Sequence, residues 1–319
     1  MSDLVTFGET MVRLSPPDRA RLETADSLEF RTAGAESNVA IVAQRLGTPA
    51  TWISKLPTSP LGRRVAGDIE RHGVAVDVTW SEEGRQGTYY LEQGTEPRRT
   101  TVLYDRQGSA VTDATVEGLP VETIRNAEVF FTTGITPALS DTLRRTTGEL
   151  ARLAEEADTR VAFDFNYRSK LWSPETACDT LEKLFPSVDL LVIAERDART
   201  VLGRSEDPED IAHGMATDYG IGTVLLTLGS NGALCHHDGV IHEQEAVPAE
   251  TVDPIGTGDA FTGAFLARRI AGESVPTALQ YAAATASIKR TIPGDVAVVT
   301  PTEVEEVLED AMDSSGISR

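Results

Sequence analysis

The sequence predicts an α/β fold in which a doubly wound, mostly parallel sheet lies between layers of helices. Three continuously apolar segments carry this prediction: Val129–Phe131, Leu190–Ile193 and Val224–Leu226. Strands without polar alternation are buried on both faces, as in a parallel sheet covered by helices. Helical patterns separate these segments along the chain, so we expect a single domain over residues 1–319.

Strand and helix patterns alternate over most of the chain, and Gly47 and Gly73 end the first two helices. The predicted strands are Leu4–Glu9, Thr51–Lys55, Glu128–Thr132, Val161–Asn166, Leu190–Ala194 and Thr223–Leu228. The predicted helices are Glu36–Leu46, Pro60–His72, Ser140–Glu156, Pro174–Phe185, Pro208–Asp218, Thr257–Ala271, Val275–Lys289 and Thr302–Ala311, followed by a terminal tail at Asp313–Arg319.

Two segments break this pattern. Residues 10–33 and 88–106 alternate like half-exposed strands and contain turn sequences rich in proline and glycine. We interpret them as hairpins of a small β-sheet outside the main sheet. Such a lid could cover a substrate and exclude water from a reaction. The alternative is that they extend the edge of the main sheet.

Composition narrows the class of protein. No apolar run approaches the length of a membrane span, and the N-terminus leads directly into a strand, so we expect no signal peptide and no membrane partner. Cys178 and Cys235 are the only cysteines, which suggests a reducing cytoplasm. The histidines lack the spacing of a zinc site.

The charge is the unusual bulk property. The chain has 50 acidic and 29 basic residues, a net charge of −21, and only four lysines. This balance argues against nucleic acid as a partner. An acidic, lysine-poor surface suits a protein that stays soluble in very salty cytoplasm, where salt screens self-repulsion. An ordinary acidic protein is the alternative.

Asp259 closes the most informative segment, Val252–Phe261, at the start of a predicted helix. Gly256 and Gly258 bracket Thr257, and glycine lets a backbone approach a ligand closely. The free amides and positive dipole of a helix start suit a phosphate. A carboxylate among such amides would repel a bound phosphate. Its presence is therefore best explained if Asp259 acts as a base on a group beside the phosphate. The segment therefore predicts phosphoryl transfer.

Other glycine-rich phosphate motifs do not fit. A P-loop requires Lys and then Ser or Thr after its last glycine, whereas Gly258 is followed by Asp259 and Ala260. After Gly256 and Gly258, a dinucleotide fingerprint requires a third glycine at position 261. This chain has Phe261 there, and its next glycine, Gly263, is two positions too late. A tight loop that caps a helix is the structural alternative.

Other polar residues stand at the ends of predicted elements. Gly34 and Asn38 lie where the first long helix begins, and the Asn38 amide suits sugar hydroxyls, although a helix cap is the alternative. Arg168 follows a buried strand and could bind a carboxylate or phosphate, or form a surface salt bridge. The turn Thr227–Gly232 could hold phosphates, although the residues alone favour a hairpin.

Three segments occur in an order that is typical of one family: Gly34–Ala40, Thr227–Gly232 and Asp253–Asp259. Over essentially its whole length the chain resembles the ribokinase-like (PfkB) family of carbohydrate kinases. Thr257 stands where alanine is usual, and this departure leaves the backbone amides intact. Within the family, Tyr104–Ala110 and Asp164–Trp172 are most similar to the 2-keto-3-deoxygluconate kinases.

The resemblance implies a role for each matched residue. Asp259 would be the general base, assisted by the backbone of Gly256, Thr257 and Gly258. The residues implied to face the sugar acid are Gly34, Asn38, Tyr90, Tyr104, Arg106, Arg168 and Asp295. Those implied to bind ATP are Thr227, Leu228, Gly229, Ser230, Asn231 and Gly232, together with Gly256 and Gly258.

The implied cofactors are ATP and Mg²⁺, with K⁺ as a further candidate, and a homo-oligomer is expected. The family's Asn-x-x-Glu motif, which organises water around Mg²⁺, is altered here to Ala194-Glu195-Arg196-Asp197. We expect phosphates and water to hold the ion, with Glu195 and Asp197 acting only through water.

The expected reaction is phosphorylation of the 6-hydroxyl of 2-keto-3-deoxygluconate, which gives 2-keto-3-deoxy-6-phosphogluconate. Fructokinase and ribokinase activities are the enzymatic alternatives. A sugar sensor on the same fold is the alternative of another class, although a sensor has no need of a base beside phosphates.

Overall fold

A nine-stranded, mostly parallel sheet forms the centre of the molecule. The computed structural model describes the backbone of residues 2–315 and the side chains of residues 2–311. Within this range the strands of the main sheet are β1 (Leu4–Phe7), β4 (Ala50–Pro57), β5 (Ala75–Ser81), β8 (Val129–Thr133), β9 (Arg160–Asp164), β10 (Leu190–Ala194), β11 (Thr223–Thr227), β12 (Ala233–His237) and β13 (Val240–Gln244). Their order is β13-β12-β11-β10-β9-β8-β1-β4-β5. Among these described strands, the pairs β11–β12 and β12–β13 are antiparallel and the other pairs are parallel.

Helices cover both faces of this sheet, and several begin after a serine whose hydroxyl accepts a backbone N–H, such as Ser59 and Ser140. The helices in the described range are α1 (Ala35–Arg45), α2 (Pro60–Glu70), α3 (Val121–Arg125), α4 (Ile135–Ala138), α5 (Asp141–Glu156), α6 (Pro174–Leu181), α7 (Glu195–Val201), α8 (Pro208–Tyr219), α9 (Thr257–Ile270), α10 (Val275–Thr291) and α11 (Pro301–Ser315).

Two hydrophobic layers lie on opposite faces of the sheet. Successive strand residues point to opposite faces, so the neighbours Phe130 and Phe131 belong to different layers. One layer contains buried residues of α1, α9 and α10, and the other contains buried residues of α5, α6 and α8. This arrangement confirms the predicted doubly wound α/β class.

A separate four-stranded sheet forms the lid. It consists of β2 (Met11–Ser15), β3 (Glu29–Ala33), β6 (Thr88–Glu92) and β7 (Thr101–Asp105), in the order β3-β2-β6-β7. Strands β2 and β3 pair antiparallel, as do β6 and β7, and β2 joins β6 in parallel. The two predicted segments therefore form one sheet outside the main sheet.

Several predicted boundaries shift for local reasons. Strand β9 ends at Asp164, two residues before the predicted end, because the Asp164 carboxylate accepts the amide N–H of Asn166, whose φ is 35°. Helix α6 ends at Leu181, and Phe185–Ser187 forms a separate 3₁₀ turn around Pro186, since a proline disfavours helix at the preceding residue. Helix α11 continues to Ser315, into the predicted tail, and residues 316–319 lie outside the described range.

Strands β5, β12 and β13 and helices α3, α4 and α7 were not predicted. The sheet places the carboxyl ends of β8 to β11 beside the point between β1 and β8 where the strand order reverses. Crevices at such a point are where open α/β sheets bind ligands. No helix among the described residues is both long enough and apolar enough to cross a membrane.

Candidate active site

Two adjoining cavities open at the carboxyl ends of the strands. The first, here called the lid cavity, has a volume of about 440 Å³ and lies between the lid and the main sheet. The second, the helix cavity, has a volume of about 630 Å³ and is bordered by α9, α10 and the β11–β12 turn. Both are lined by Arg196, Thr227, Pro254, Thr257 and Gly258, so the loop before Asp259 separates them.

The backbone of this loop explains its glycines. Gly256 precedes α9 with a φ of 80°, a conformation that favours glycine, and a Cβ atom there would lie 1.9 Å from the Asp295 carbonyl oxygen. Helix α9 begins at Thr257, so its first amides have no acceptor within the helix. The Thr257 amide already donates to Pro254 at 3.3 Å, which leaves Gly258 as the better-placed donor to a bound anion.

Asp259 lines the lid cavity just after this loop. Its Oδ2 accepts a 2.7 Å hydrogen bond from Nδ2 of Asn38, which fixes the orientation of the carboxyl group. Burial raises the pKa of Asp259 to about 6, and the Asn38 bond and the positive charge of Arg168 oppose that shift. A carboxylate with a pKa near 6 is a suitable general base at neutral pH.

Six of the seven residues that were expected to bind substrate line the lid cavity. The exception is Tyr90, whose place is taken by Tyr89. Adjacent residues of strand β6 point to opposite faces, so only one of the two tyrosines can face the cavity. The residues that do line it are Gly34, Asn38, Tyr104, Arg106, Arg168 and Asp295.

Three arginines line the lid cavity, and the two that were expected to bind the substrate have different environments. Arg106 donates to the buried Glu9 carboxylate at 3.1 Å, and its guanidinium lies 4.3 Å from the centre of the Tyr104 ring. Arg168 is exposed, and no ion pair or hydrogen bond of its side chain is found within the described part of the chain. The third arginine, Arg196, donates to Asp197 at 3.0 Å, so Arg168 is the lining arginine that is available to a ligand within the described part of the chain.

The carboxyl group of Asp295, which was expected to contact the substrate, has hydrogen-bond partners within the protein. Its Oδ2 accepts from Arg13 at 2.6 Å, and its Oδ1 accepts from the Tyr89 hydroxyl at 3.0 Å. Both carboxylate oxygens thus have protein partners, so Asp295 supports the wall of the cavity. Arg13 also lies 3.4 Å from the Asp253 carboxylate. It was missed, although a charge in the alternating strand Met11–Ser15 was a usable signal.

Two further carboxyl groups of the lid cavity were not assigned a role from the sequence. Burial raises the pKa of Asp164 to about 8, and the nearby charge of Asp259 adds to the shift. Burial also raises the pKa of Glu36 to about 7, against the hydrogen bonds that Thr133 and Thr136 donate to its Oε1 at 2.8 Å each. Acidic groups thus surround the proposed base on several sides.

The two acidic residues of the altered metal motif, Glu195 and Asp197, lie in different environments. Glu195 accepts hydrogen bonds from Arg199 and does not line the lid cavity. Asp197 is buried, lines the cavity and accepts from Arg196 at 3.0 Å. Among residues with described side chains, no group of three or more His, Cys, Asp or Glu residues is arranged to hold a metal ion.

The predicted ATP-binding turn is a hairpin between β11 and β12, as its residues alone favour. Gly229, Ser230 and Gly232 line the helix cavity together with Thr227, whereas Leu228 and Asn231 do not. Sequence reasoning missed the rest of this cavity because small and apolar residues carry no chemical signal. Its other lining residues include Ala246, Val247, Phe261, Ala283, Ala286, Ser287 and Arg290.

The fold and the paired cavities define an α/β enzyme with a lid. Residues 1–303 match the pfkB family of carbohydrate kinases, and the chain belongs to this family. It is thus a phosphotransferase that acts on a sugar, as predicted.

Three known kinases are similar to this chain over nearly its whole length. The chain is 58% identical over 318 residues to "2-dehydro-3-deoxygalactonokinase" of Haloferax volcanii, covering 100% of this chain and 99% of the relative. It is 30% identical over 313 residues to "2-dehydro-3-deoxygluconokinase" of Thermoproteus tenax, covering 97% and 94%. The crystal structure of 2-dehydro-3-deoxygluconokinase from Thermotoga maritima superimposes with a TM-score of 0.90 at 33% identity, covering 96% of this chain and 98% of that one.

Proposed function

We propose that this protein transfers the γ-phosphoryl group of ATP to the 6-hydroxyl of a 2-keto-3-deoxy sugar acid. The observation that carries the proposal is the position of Asp259, held by Asn38 beside the loop that separates the two cavities. A sugar in the lid cavity and a nucleotide in the helix cavity would meet at this loop. The raised pKa of Asp259 supports its assignment as the base.

The chemistry follows from these positions. The substrate hydroxyl oxygen forms a bond to the γ-phosphorus as the bond to the β,γ-bridging oxygen breaks, and ADP leaves. Asp259 accepts the hydroxyl proton and is protonated at the end of the step. The Gly258 amide and the N-terminal dipole of α9 stabilise negative charge on the transferred group.

Mg²⁺ would neutralise charge on the nucleotide phosphates when bound. The donor set suits an ion held mainly by phosphates and water, because the cavity offers the separate carboxyl groups of Asp164 and Asp197. We propose that these two groups orient water around the ion. Glu195 is a poorer candidate, since Arg199 already occupies its carboxylate.

Arg168 supports a sugar acid as the substrate. An unpaired guanidinium in the lid cavity has little to gain from a neutral ketose, whereas a carboxylate would accept two parallel hydrogen bonds from it. Fructose is therefore the weaker candidate. Arg106 contributes less, because Glu9 already balances its charge.

The configuration of the sugar acid is a separate choice. The sequence motifs suggested the gluconate form, 2-keto-3-deoxygluconate. The relative at 58% identity is named for the galactonate form, its C4 epimer, whereas the relatives named for the gluconate form are 33% and 30% identical. We therefore propose 2-keto-3-deoxygalactonate as the first substrate to test and 2-keto-3-deoxygluconate as the second.

A coupled assay of ADP release in molar KCl tests the proposal. The acceptors are the two 2-keto-3-deoxy sugar acids, gluconate, fructose and ribose. We expect the highest kcat/KM with one of the two 2-keto-3-deoxy acids. A higher kcat/KM with fructose or ribose would contradict the substrate class, and binding without phosphoryl transfer to any of them would favour the sensor alternative.

A further inference from the structure

One lysine of this lysine-poor chain is completely buried. Lys289 has no solvent-exposed surface, whereas Lys55, Lys170 and Lys183 are at least partly exposed. Its Nζ donates hydrogen bonds to the carbonyl oxygen of Asp253 at 3.1 Å and to that of Ile292 at 3.0 Å. A buried ammonium is costly unless such partners compensate for its lost hydration.

The two carbonyls belong to the two segments that build the catalytic loop. Asp253 begins the segment that leads to Gly256 and Asp259, and Ile292 begins the segment that leads to Asp295. Hydrogen bonds from the amide of Gly294 to the Asp253 carboxylate and from the amide of Asp253 to Arg290 also join these segments. The Lys289 ammonium group therefore links the segment that begins at Asp253 to the segment that begins at Ile292, and the Gly256 turn of the first segment packs against Asp295 of the second.

The charge of Lys289 also reaches the active site. Asp253, Asp295 and Asp259 favour the ammonium form, Arg13 opposes it, and burial lowers the pKa of the lysine. In return, the positive charge of Lys289 favours the ionised form of Asp259. The carbonyl end of α10 adds a negative dipole beside the ammonium.

K⁺, a candidate cofactor from the sequence, does not fit this position. Proteins hold K⁺ with backbone carbonyl oxygens. Here the carbonyls of Asp253 and Ile292, on the two segments of the catalytic loop, already bind an ammonium group. We propose that Lys289 is a positioning residue whose ammonium serves as a built-in cation for the catalytic loop, so that catalysis needs no bound monovalent ion. This inference rests on the proposed phosphoryl transfer at that loop.

The competing interpretation is that Lys289 only caps the end of α10, as lysines near helix ends often do. A cap would affect stability but not the kinetics of the folded enzyme. The two interpretations therefore differ in kcat, which a positioning residue changes and a cap does not.

The first experiment uses the wild-type protein, with KCl replaced stepwise by NaCl at constant total salt. We expect no saturable K⁺-dependent rise in kcat or in the melting temperature. Such a rise would overturn the proposal. If no sugar acid is phosphorylated in any salt, the proposed function fails, while the melting temperature still decides whether K⁺ binds.

The second experiment compares Lys289→Met with Lys183→Met, which removes an exposed lysine. A small displacement of catalytic groups can cost about a hundredfold in rate, so we expect kcat of Lys289→Met to fall about tenfold or more, with a smaller change in KM for the sugar acid. In Lys289→Ala, ammonium or K⁺ ions should restore part of the lost kcat. A lower melting temperature with unchanged kcat would leave Lys289 as a cap. If both Lys289 variants fail to fold, the wild-type salt series still tests whether catalysis needs a bound monovalent ion, and a saturable K⁺ effect would still overturn the proposal.

Discussion

The two cavities that meet at Thr257 and Gly258 are lined by different types of residue. The lid cavity is lined by carboxyl groups, arginines and tyrosines, several of them in buried ion pairs or hydrogen bonds. The helix cavity is lined mostly by small and apolar residues, and Arg196 and Arg290 are its charged side chains. We therefore expect the lid cavity to select its ligand by charge and hydrogen bonding, and the helix cavity to select its ligand mainly by shape. Single side chains should matter most in the first cavity.

Asp259→Asn should have the largest effect. It preserves the size of the side chain but removes the base, and proton transfer of this kind is worth ~10²–10⁴ in rate. We expect kcat to fall at least about a hundredfold while ATP still binds. Steady-state kinetics and a nucleotide-binding assay measure the two quantities. Asp238→Asn, in an exposed turn that asparagine tolerates, is the matched control. A near-normal kcat would remove Asp259 as the base.

Arg168→Ala tests selection by charge. Because Arg168 is exposed without a ligand, we expect a loss of ~1.5–3 kcal/mol in kcat/KM for the sugar acid, the usual range for hydrogen bonds to charged groups. Any activity on fructose should change much less. Arg160→Ala, at the start of strand β9, which Arg168 follows, is the control. Equal losses on both sugars would show that Arg168 serves the phosphates or the fold.

The pH dependence of kcat/KM reports the state of Asp259. Burial raises the pKa of this carboxyl group to about 6, and the proposed reaction requires its ionised form. Activity should therefore be full above that pH and fall about tenfold per unit below it. A rate profile from pH 5 to pH 8 measures this. Glu36→Gln should keep the inflection, and loss of the inflection in that variant would assign it to Glu36.

Ala286→Leu tests selection by shape in the helix cavity. The larger side chain fills space that the nucleotide would use, and overpacking of this kind costs ~1–3 kcal/mol. We expect KM for ATP to rise about tenfold, with kcat at saturating ATP and KM for the sugar acid nearly unchanged. Gln280→Leu, on the same helix but outside both cavities, is the control. An equal rise in KM for both substrates would contradict the separation of the cavities.

Salt should act on both cavities together, because the net charge of −21 belongs to the whole chain. The Debye length falls from about 30 Å at 0.01 M salt to about 3 Å at 1 M, so salt relieves repulsion that favours unfolding. We expect the melting temperature and activity to rise from roughly 0.1 M to 1–2 M KCl. A melting temperature that is flat across the series would contradict this expectation.

Secondary-structure elements were predicted best from the sequence where burial of the strand faces produced a regular hydrophobic pattern. Continuous apolar runs identified β8, β10 and β11, because both faces of these strands are buried. Alternation identified the lid strands. Strands β5 and β13 contain only exposed and partly buried residues, so they lack the apolar runs of the central strands. Strand β12 is buried at four of its five positions, but it is short and ends in His236 and His237, so no apolar run revealed it.

The site was predictable only where chemistry required a particular side chain. The glycines and the acid around Asp259 form such a pattern, and Asn38 lies beside that acid as a partner should. Tyr89 and Tyr90 could not be told apart, since the sequence does not reveal which face of β6 turns inward. The partners of Asp295 were equally hidden, because Arg13 is 282 positions away in the chain.

The buried ion pair between Arg13 and Asp295 determines where the lid can bend. Strand β2 is tied through this pair to the catalytic loop, and separating a buried pair typically costs ~3–5 kcal/mol. A rigid swing of the whole lid would break it. Strand β7, by contrast, is the outer strand of the lid, pairs only with β6 and is largely exposed, although Tyr104 on it faces the cavity. We therefore expect the lid to open by displacement of β7 alone. The sheet would bend between β6 and β7, while β2 and β6 keep their positions over the cavity.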